Sequence, residues 1–187
     1  LPAEVAAVQP VGRQALAPRG LSRPELRRFL KEVDVRASIR DRALIYLMLF
    51  TGMRLSEAAG LEVRDLLISE RKGTASVRSE VAKGGKMRVV PIPAAARLIL
   101  SMYLAERRDD GGRLFQGERG PIGRNGISRI IAKYAATAKV SMTPHTLRHC
   151  FAYRFLAATN NDLIGLADIL GHSNVNTTRL YTKRRLE

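Results

Sequence analysis

The stretch from Pro144 to His149 combines residue types that suit chemistry on a phosphate. His145, Arg148 and His149 lie three or four residues apart, so a helix would place them on one face. A proton-transfer group beside a permanent cation suits phosphodiester chemistry. The alternatives are a solvated basic helix start, or a core histidine bonded to the backbone. No acidic ligand stands near in the sequence, so a metal site is not expected here.

A second candidate is Arg54, which follows a glycine break in the stretch from Thr51 to Glu57. Gly52 interrupts an apolar run, and Arg54 then stands at the mouth of the next helix, where free backbone N–H groups favour an anion. This position predicts contact with a phosphate. The alternative is an ordinary turn in which Arg54 pairs with Glu57 at the three-residue spacing of a helix surface.

Two further stretches carry residues that gain meaning only in combination. Gly171 is expected to end a helix and leave His172 on a loop, and Tyr181 follows nine residues after His172. A tyrosine alone is usually a packing residue. Lys83 lies in a predicted turn between strands, where a lysine is usually a solvated charge that protects a sheet edge. Neither Tyr181 nor Lys83 would be assigned a function by itself.

The elements that must position these residues follow from hydrophobic spacing. Ser22 and Glu25 form a capping-box pattern that opens a first helix, and an apolar second helix is predicted over residues 41–50. Short β-prone runs predict a three-stranded antiparallel sheet. Its strands are predicted at 66–69, 75–79 and 87–92, and helices are predicted from about Ser56 and at 94–107, 124–139, 144–158, 162–170 and 176–181. The fold class is therefore α+β, mainly α-helical, with one small sheet.

Composition limits the class of protein and its partners. The 187 residues are 45% hydrophobic, which suffices for one compact core, and they carry a formal net charge of +15. Such a charge suits a nucleic acid. A membrane partner is not expected, because the basic residues are spread from Arg13 to Arg185 rather than gathered on one amphipathic segment. Cys150 is the single cysteine, so no intramolecular disulfide forms and a reducing, cytoplasmic location is expected.

Together and in this order, the stretches resemble the tyrosine recombinases, also called the phage integrase family. The resemblance covers the arginine box at 51–61, the hairpin lysine in 83–91, the His-x-x-Arg box at 145–148, and the Leu-Gly-His box at 170–172 with its following Tyr181. It implies the catalytic-domain fold of that family. It also implies a site-specific recombinase that cleaves and rejoins DNA strands through a 3′-phosphotyrosine.

The resemblance assigns the central roles to two arginines and a tyrosine. Arg54 and Arg148 would bind the non-bridging oxygens of the scissile phosphate and stabilise the charge of the transition state. Because two permanent cations would take the place of a metal, neither a metal nor another cofactor is expected. Tyr181 would attack phosphorus and conserve the bond energy for rejoining without ATP.

The remaining roles implied by the resemblance concern protons and orientation. His145 would act as acid or base, Lys83 would protonate the leaving 5′ oxygen, and His172 would hydrogen-bond the phosphate. Two residues are secondary. Glu57 would orient Arg54 or its neighbours, and His149, which follows the box directly and is often present in the family, has no settled chemical role.

The resemblance also implies a domain organisation and partners. Residues 1–20, with three prolines, are predicted to be an interdomain linker, and residues 21–187 the catalytic domain, with the family's N-terminal core-binding domain absent. Double-stranded DNA is the expected partner, and the full-length protein is expected to form a homotetramer on recombination sites. Two alternatives stay open: a type IB topoisomerase-like enzyme with the same chemistry, and a non-catalytic DNA-binding module whose arginines only contact phosphates.

Overall fold

The structure, a computed structural model, describes residues 20–80, 87–107 and 111–172, together with Thr178 and Tyr181. These residues form seven α-helices, a three-stranded antiparallel sheet and a two-stranded hairpin. The helices are α1 (Arg23–Arg36), α2 (Ile39–Thr51), α3 (Leu55–Gly60), α4 (Ala94–Glu106), α5 (Arg124–Ala138), α6 (Pro144–Ala158) and α7 (Leu163–Leu170). The strands are β1 (Leu66–Ile68), β2 (Gly73–Val77), β3 (Arg88–Pro91), β4 (Gln116–Gly117) and β5 (Gly120–Pro121). The predicted fold class, α+β and mainly helical with a small sheet, is confirmed.

Local signals set the helix ends that matter for the site. Ser22 and Glu25 form both hydrogen bonds of a capping box at the start of α1. Gly52 ends α2 with a φ of 65°, and Gly171 ends α7 with a φ of 63°. This left-handed conformation costs glycine little because it has no Cβ. Each glycine turns the chain sharply, so that Arg54 and His172 follow directly after a helix end.

The core forms around α2. Most side chains of this helix are buried, including Leu44, Leu47 and Met48 at 0% exposure, because a helix that is apolar on most sides has to lie inside the domain. It packs against α4 and α6, while α1 packs against α5. A smaller apolar cluster joins α6 to α7 and includes Phe151, Leu170 and Tyr181. The residues of the candidate site lie where this smaller cluster meets the core around α2.

The sheet has the order β1-β2-β3, and Val77 of β2 lies opposite Arg88 of β3. The second strand was predicted two residues too late. It begins at Gly73, which pairs with Ile68, because Ser69 and Lys72 close the turn with hydrogen bonds. The hairpin of β4 and β5 was not predicted, since strands of two residues leave no alternating pattern to detect.

Several predictions concern residues outside the described ranges. They include Lys83, nearly all of the predicted linker at 1–20, and most of the predicted helix at 176–181. The division into linker and catalytic domain therefore stays a prediction. Among the helices that the structure describes, none combines the length and apolar character needed to span a bilayer.

Candidate active site

Three arginines from three other parts of the chain meet at the carboxyl end of α7. Arg88, Arg148 and Arg54 donate, in this order, to the carbonyl oxygens of residues 169, 170 and 171, at 2.7, 2.8 and 3.2 Å. The last carbonyls of a helix lack partners within the helix and carry partial negative charge, so they attract cations. Three guanidinium groups that are remote in sequence therefore lie side by side.

A buried carboxylate holds two of these arginines. Glu57 is 0% exposed. Its oxygens accept hydrogen bonds from the backbone N–H of Arg54 at 2.7 Å, from Arg54 Nη1 at 3.1 Å, and from both Nη atoms of Arg88 at 2.9 and 2.8 Å. Burial raises the pKa of Glu57, but the bonds from Arg88 and Arg54 outweigh it and hold that pKa below its usual value. The predicted pair of Arg54 and Glu57 is thus present as part of a larger network.

Arg148 projects from α6 and is buried at 5% exposure. It donates to the carbonyl oxygen of Gly52 at 2.7 Å, as well as to Leu170, and its Nη2 lies 3.0 Å from Nε2 of His172. Burial, followed by the nearby charge of Arg54, lowers the pKa of Arg148 to about 10. The guanidinium therefore stays charged at neutral pH and ties the ends of α2 and α7 to α6.

His172 is oriented by a bond on each side of its ring. Nδ1 lies 2.9 Å from Oγ1 of Thr178, and Nε2 faces Arg148. Burial, then the charges of Arg148, Arg54 and Arg88, lower the pKa of His172 to about 4. Because a guanidinium only donates, Nε2 accepts, and the ring proton of the neutral form is on Nδ1.

Tyr181 is 5% exposed, and its Oη lies 2.8 Å from Nδ1 of His149. The edge of the ring packs against Tyr153, with centroids 5.4 Å apart. Burial raises the pKa of the Tyr181 phenol, although the charge of Arg148 opposes this. Burial, then His145 and Arg148, lower the pKa of His149 to about 4, so at neutral pH this imidazole is uncharged and its Nδ1 can accept a hydrogen bond from the phenol.

Of the two histidines on this face of α6, His149 and not His145 contacts the tyrosine. His145 lies exposed on the first turn of α6, and its ring centroid is 4.1 Å from that of His149. From the sequence, His145 was expected in the acid or base role, and His149 was left without one. Lys83 lies outside the residues that the structure describes. In the ranges that the structure describes, no group of three His, Cys, Asp or Glu side chains is arranged to hold a metal ion.

Arg88 was not predicted from the sequence as a residue of the site. The alternation of side chains along β3 could have indicated that Arg88 points inward, because Arg88 lies on the same face of the strand as the buried Val90. An arginine that points into the domain needs a buried anionic partner. Glu57 is that partner, but it is 31 residues away in sequence, so local patterns could not pair them.

Residues 19–187 match the phage integrase family. The chain belongs to this family. It is 35% identical over 170 residues to tyrosine recombinase XerA of Pyrococcus furiosus, which covers 89% of this chain and 57% of that protein. It is also 40% identical over 150 residues to tyrosine recombinase XerC of Rhodospirillum centenum, covering 77% of this chain and 42% of that protein.

Solved structures of family members share the fold. The XerH site-specific recombinase bound to its difH substrate, in a pre-cleavage complex, superposes with a TM-score of 0.76 at 30% identity, over 92% of this chain and 53% of that one. The XerA recombinase gives the same TM-score and identity over 88% of this chain and 60% of that one. The chain thus spans between about two fifths and three fifths of the length of these relatives.

Proposed function

We propose that this chain carries the active site of a site-specific DNA recombinase, which cleaves and rejoins strands through a phosphotyrosine. The observation that carries the proposal is the placement of Arg54 and Arg148 on adjacent carbonyls of α7, with His172 bonded to Arg148. Tyr181 is hydrogen-bonded to His149, the residue next to Arg148 on α6. Relatives named tyrosine recombinases, and XerH bound to difH, support the same reaction here.

In this proposal the phosphodiester binds to the two guanidinium groups. Arg54 has a side chain that is 22% exposed, so a phosphate can reach it from solvent. Arg148 is buried at 5% exposure, where water screens a charge only weakly, so its cation acts strongly on an anion. Burial is the main cause of the low pKa of His149 and His172, and the bound phosphate acts on the smaller part that comes from nearby cations, so it raises the pKa of both histidines.

The reaction is a transesterification that needs no external energy source. Oη of Tyr181 forms a bond to phosphorus while the bond from phosphorus to the 5′ oxygen breaks, which leaves a 3′-phosphotyrosine and a 5′ hydroxyl. The phenol proton passes to His149, which already contacts Oη, with His145 beside it. Lys83 gives a proton to the 5′ oxygen. Since Tyr181 is 5% exposed, DNA binding has to bring the scissile phosphate and the phenol together.

The partner in this proposal is double-stranded DNA, which suits the net charge of +15. The similar XerH recombinase was solved in complex with its difH substrate, which supports this choice of partner. A homotetramer on the recombination site and a cytoplasmic location are further parts of the proposal for the full-length protein.

Covalent capture tests the proposal. The 187-residue chain is mixed with a pool of short duplexes of randomised sequence, each with one nick, from which the freed strand end diffuses away. The expected result is a protein-DNA adduct that survives denaturation and maps by mass spectrometry to Tyr181. Tyr181→Phe removes only the hydroxyl, so it should abolish the adduct without loss of DNA affinity.

Tyr153→Phe is the matched control, because Tyr153 packs against Tyr181 and offers the nearest alternative phenol. The adduct should persist in this variant. An adduct that still forms in Tyr181→Phe would reassign the nucleophile, and DNA binding without any adduct would favour a non-catalytic DNA-binding module. Relaxation of supercoiled DNA without strand exchange would favour the topoisomerase alternative.

A further inference from the structure

Arg88 is the one arginine of the α7 cluster to which the proposed chemistry gives no part. Its side chain is 10% exposed, and all three of its guanidinium nitrogens donate within the domain. We propose that Arg88 is a positioning residue for strand cleavage, which binds Glu57 so that Arg54 stays directed to the phosphate. This inference rests on the proposed function, and it assigns Arg88 no contact with DNA.

Arg54 and Arg88 compete for Glu57. A carboxylate accepts about four hydrogen bonds, and Glu57 receives four, two from Arg88 and two from Arg54. The bonds from Arg88 form a bidentate pair, the strongest geometry available to an arginine and a carboxylate. Arg88 therefore neutralises the charge of Glu57, and Arg54 is left with one guanidinium nitrogen on Glu57 and another on the carbonyl of Gly171.

Without Arg88 this balance changes. Glu57 is 0% exposed, so water cannot replace the lost donors. Arg54 is then the nearest cation, and the carboxylate would draw the whole guanidinium toward itself. Arg54 would leave Gly171, next to which the second phosphate ligand, Arg148, is held. Even a displacement of about 1 Å at a reacting centre can cost about 100-fold in rate.

A second effect comes from the contact between Arg88 and the carbonyl of Ile169. Through this bond β3 is fixed to the end of α7, and Gly171 packs closely on the same arginine, since a Cβ built on Gly171 would lie 3.0 Å from Arg88 Nη1. One side chain of β3 thus contacts both the carboxylate of α3 and the end of α7.

The test compares Arg88→Met, Arg88→Lys and the control Arg78→Met in the covalent-capture assay. Arg78 follows β2 directly, and it resembles Arg88 because it bonds to Glu62, Asp65 and the carbonyl of Gly60, but away from the α7 cluster. Arg88→Met should slow adduct formation about 100-fold and change the dissociation constant for DNA less than about threefold. Arg78→Met should cleave like the wild type.

Three readouts separate positioning from general loss of structure. Arg88→Lys keeps the positive charge but not the two parallel hydrogen bonds of the guanidinium, so its rate of adduct formation should be within about tenfold of the wild type. In an Arg54→Ala background, Arg88→Met should slow cleavage less than about threefold further, because both changes act on the same group. A substrate with sulfur at the 5′-bridging position should not rescue Arg88→Met, since the lost function is phosphate binding and not protonation of the leaving group.

A readout without catalysis keeps the two proposals distinct. In the DNA-free domain, the guanidinium NMR signals of Arg54 should shift in Arg88→Met and stay unchanged in Arg78→Met. Full cleavage by Arg88→Met, multiplicative effects with Arg54→Ala, or unchanged Arg54 signals would each overturn the inference. If the wild type forms no adduct, the proposed function fails, and the NMR comparison still decides whether Arg88 holds Arg54.

Discussion

Glu57→Gln is the change that most directly tests whether the arginine cluster depends on one buried charge. The amide has nearly the shape of the carboxylate but no charge, and one of its two polar ends donates instead of accepting. Glu57 now accepts four hydrogen bonds from Arg54 and Arg88. In the variant, donors would face the amide NH₂ group, and two guanidinium charges would lose their shared partner.

The cost follows from the burial of these groups. Glu57 is 0% exposed and the Arg88 side chain 10%, so solvent can hydrate the released charge only weakly. Removing one partner of a buried ion pair costs about 3–5 kcal/mol. Domains are stable by only about 5–15 kcal/mol, so the free energy of unfolding should fall by roughly a third. The midpoint of thermal unfolding should fall by roughly 10 °C for a chain of this size.

Urea unfolding followed by circular dichroism measures this loss, with Glu62→Gln as the control. Glu62 also pairs with arginines, Arg64 and Arg78, but at 19% exposure of its side chain. Its replacement should cost much less than that of Glu57, because solvent screens this ion pair. Adding Arg88→Met to Glu57→Gln should restore part of the stability, because it removes an unpaired cation. A loss for Glu57→Gln no larger than that for Glu62→Gln would refute the electrostatic account of the cluster.

Two further predictions concern the stability of the domain. The pKa of His149 is lowered from 6.5 to about 4. As the pH falls, the unfolded chain is therefore protonated at this histidine before the folded chain is, and unfolding titrations should show about 2 kcal/mol less stability at pH 5 than at pH 7 from this group. An equal pH dependence in His149→Gln would contradict this. Gly52→Ala would place a Cβ 2.3 Å from Phe151 Cδ1 at a φ of 65°, so it should lower the free energy of unfolding by about 2–5 kcal/mol. The control Gly111→Ala, whose Cβ would meet no atom within 4 Å, should have little effect. Equal losses in the two variants would refute the steric argument.

Local patterns were sufficient to predict most of the helices and the three-stranded sheet. The capping box at Ser22 and the glycines at 52 and 171 predicted where helices begin and end, because these signals act within a few residues. The place of Arg54 at a helix start predicted contact with a phosphate, whereas the same role for Arg148 came from the family resemblance. The shift of β2 to Gly73 shows the limit of this reasoning, since pairing with Ile68 decided the register.

Relations across the fold could not be predicted in the same way. His145 and His149 lie four residues apart on one face of α6, so the sequence could not decide which of them contacts Tyr181. That choice depends on how the helix is rotated against the cluster around Tyr181. Arg88 was missed for a similar reason, because its partner Glu57 comes from an element that only the folded sheet brings close.

The end of α7 explains why these remote relations are fixed at all. Gly171 was predicted to end a helix, and it does so with a φ of 63°. The same position also has to leave room for Arg88, whose Nη1 would lie 3.0 Å from a Cβ at residue 171. If the helix continued past Gly171, its last carbonyls would bond within the helix and would no longer be free for Arg54, Arg88 and Arg148. The helix end and the arginine cluster are therefore one structural unit, because Gly171, by ending α7, sets the spacing of the three guanidinium groups.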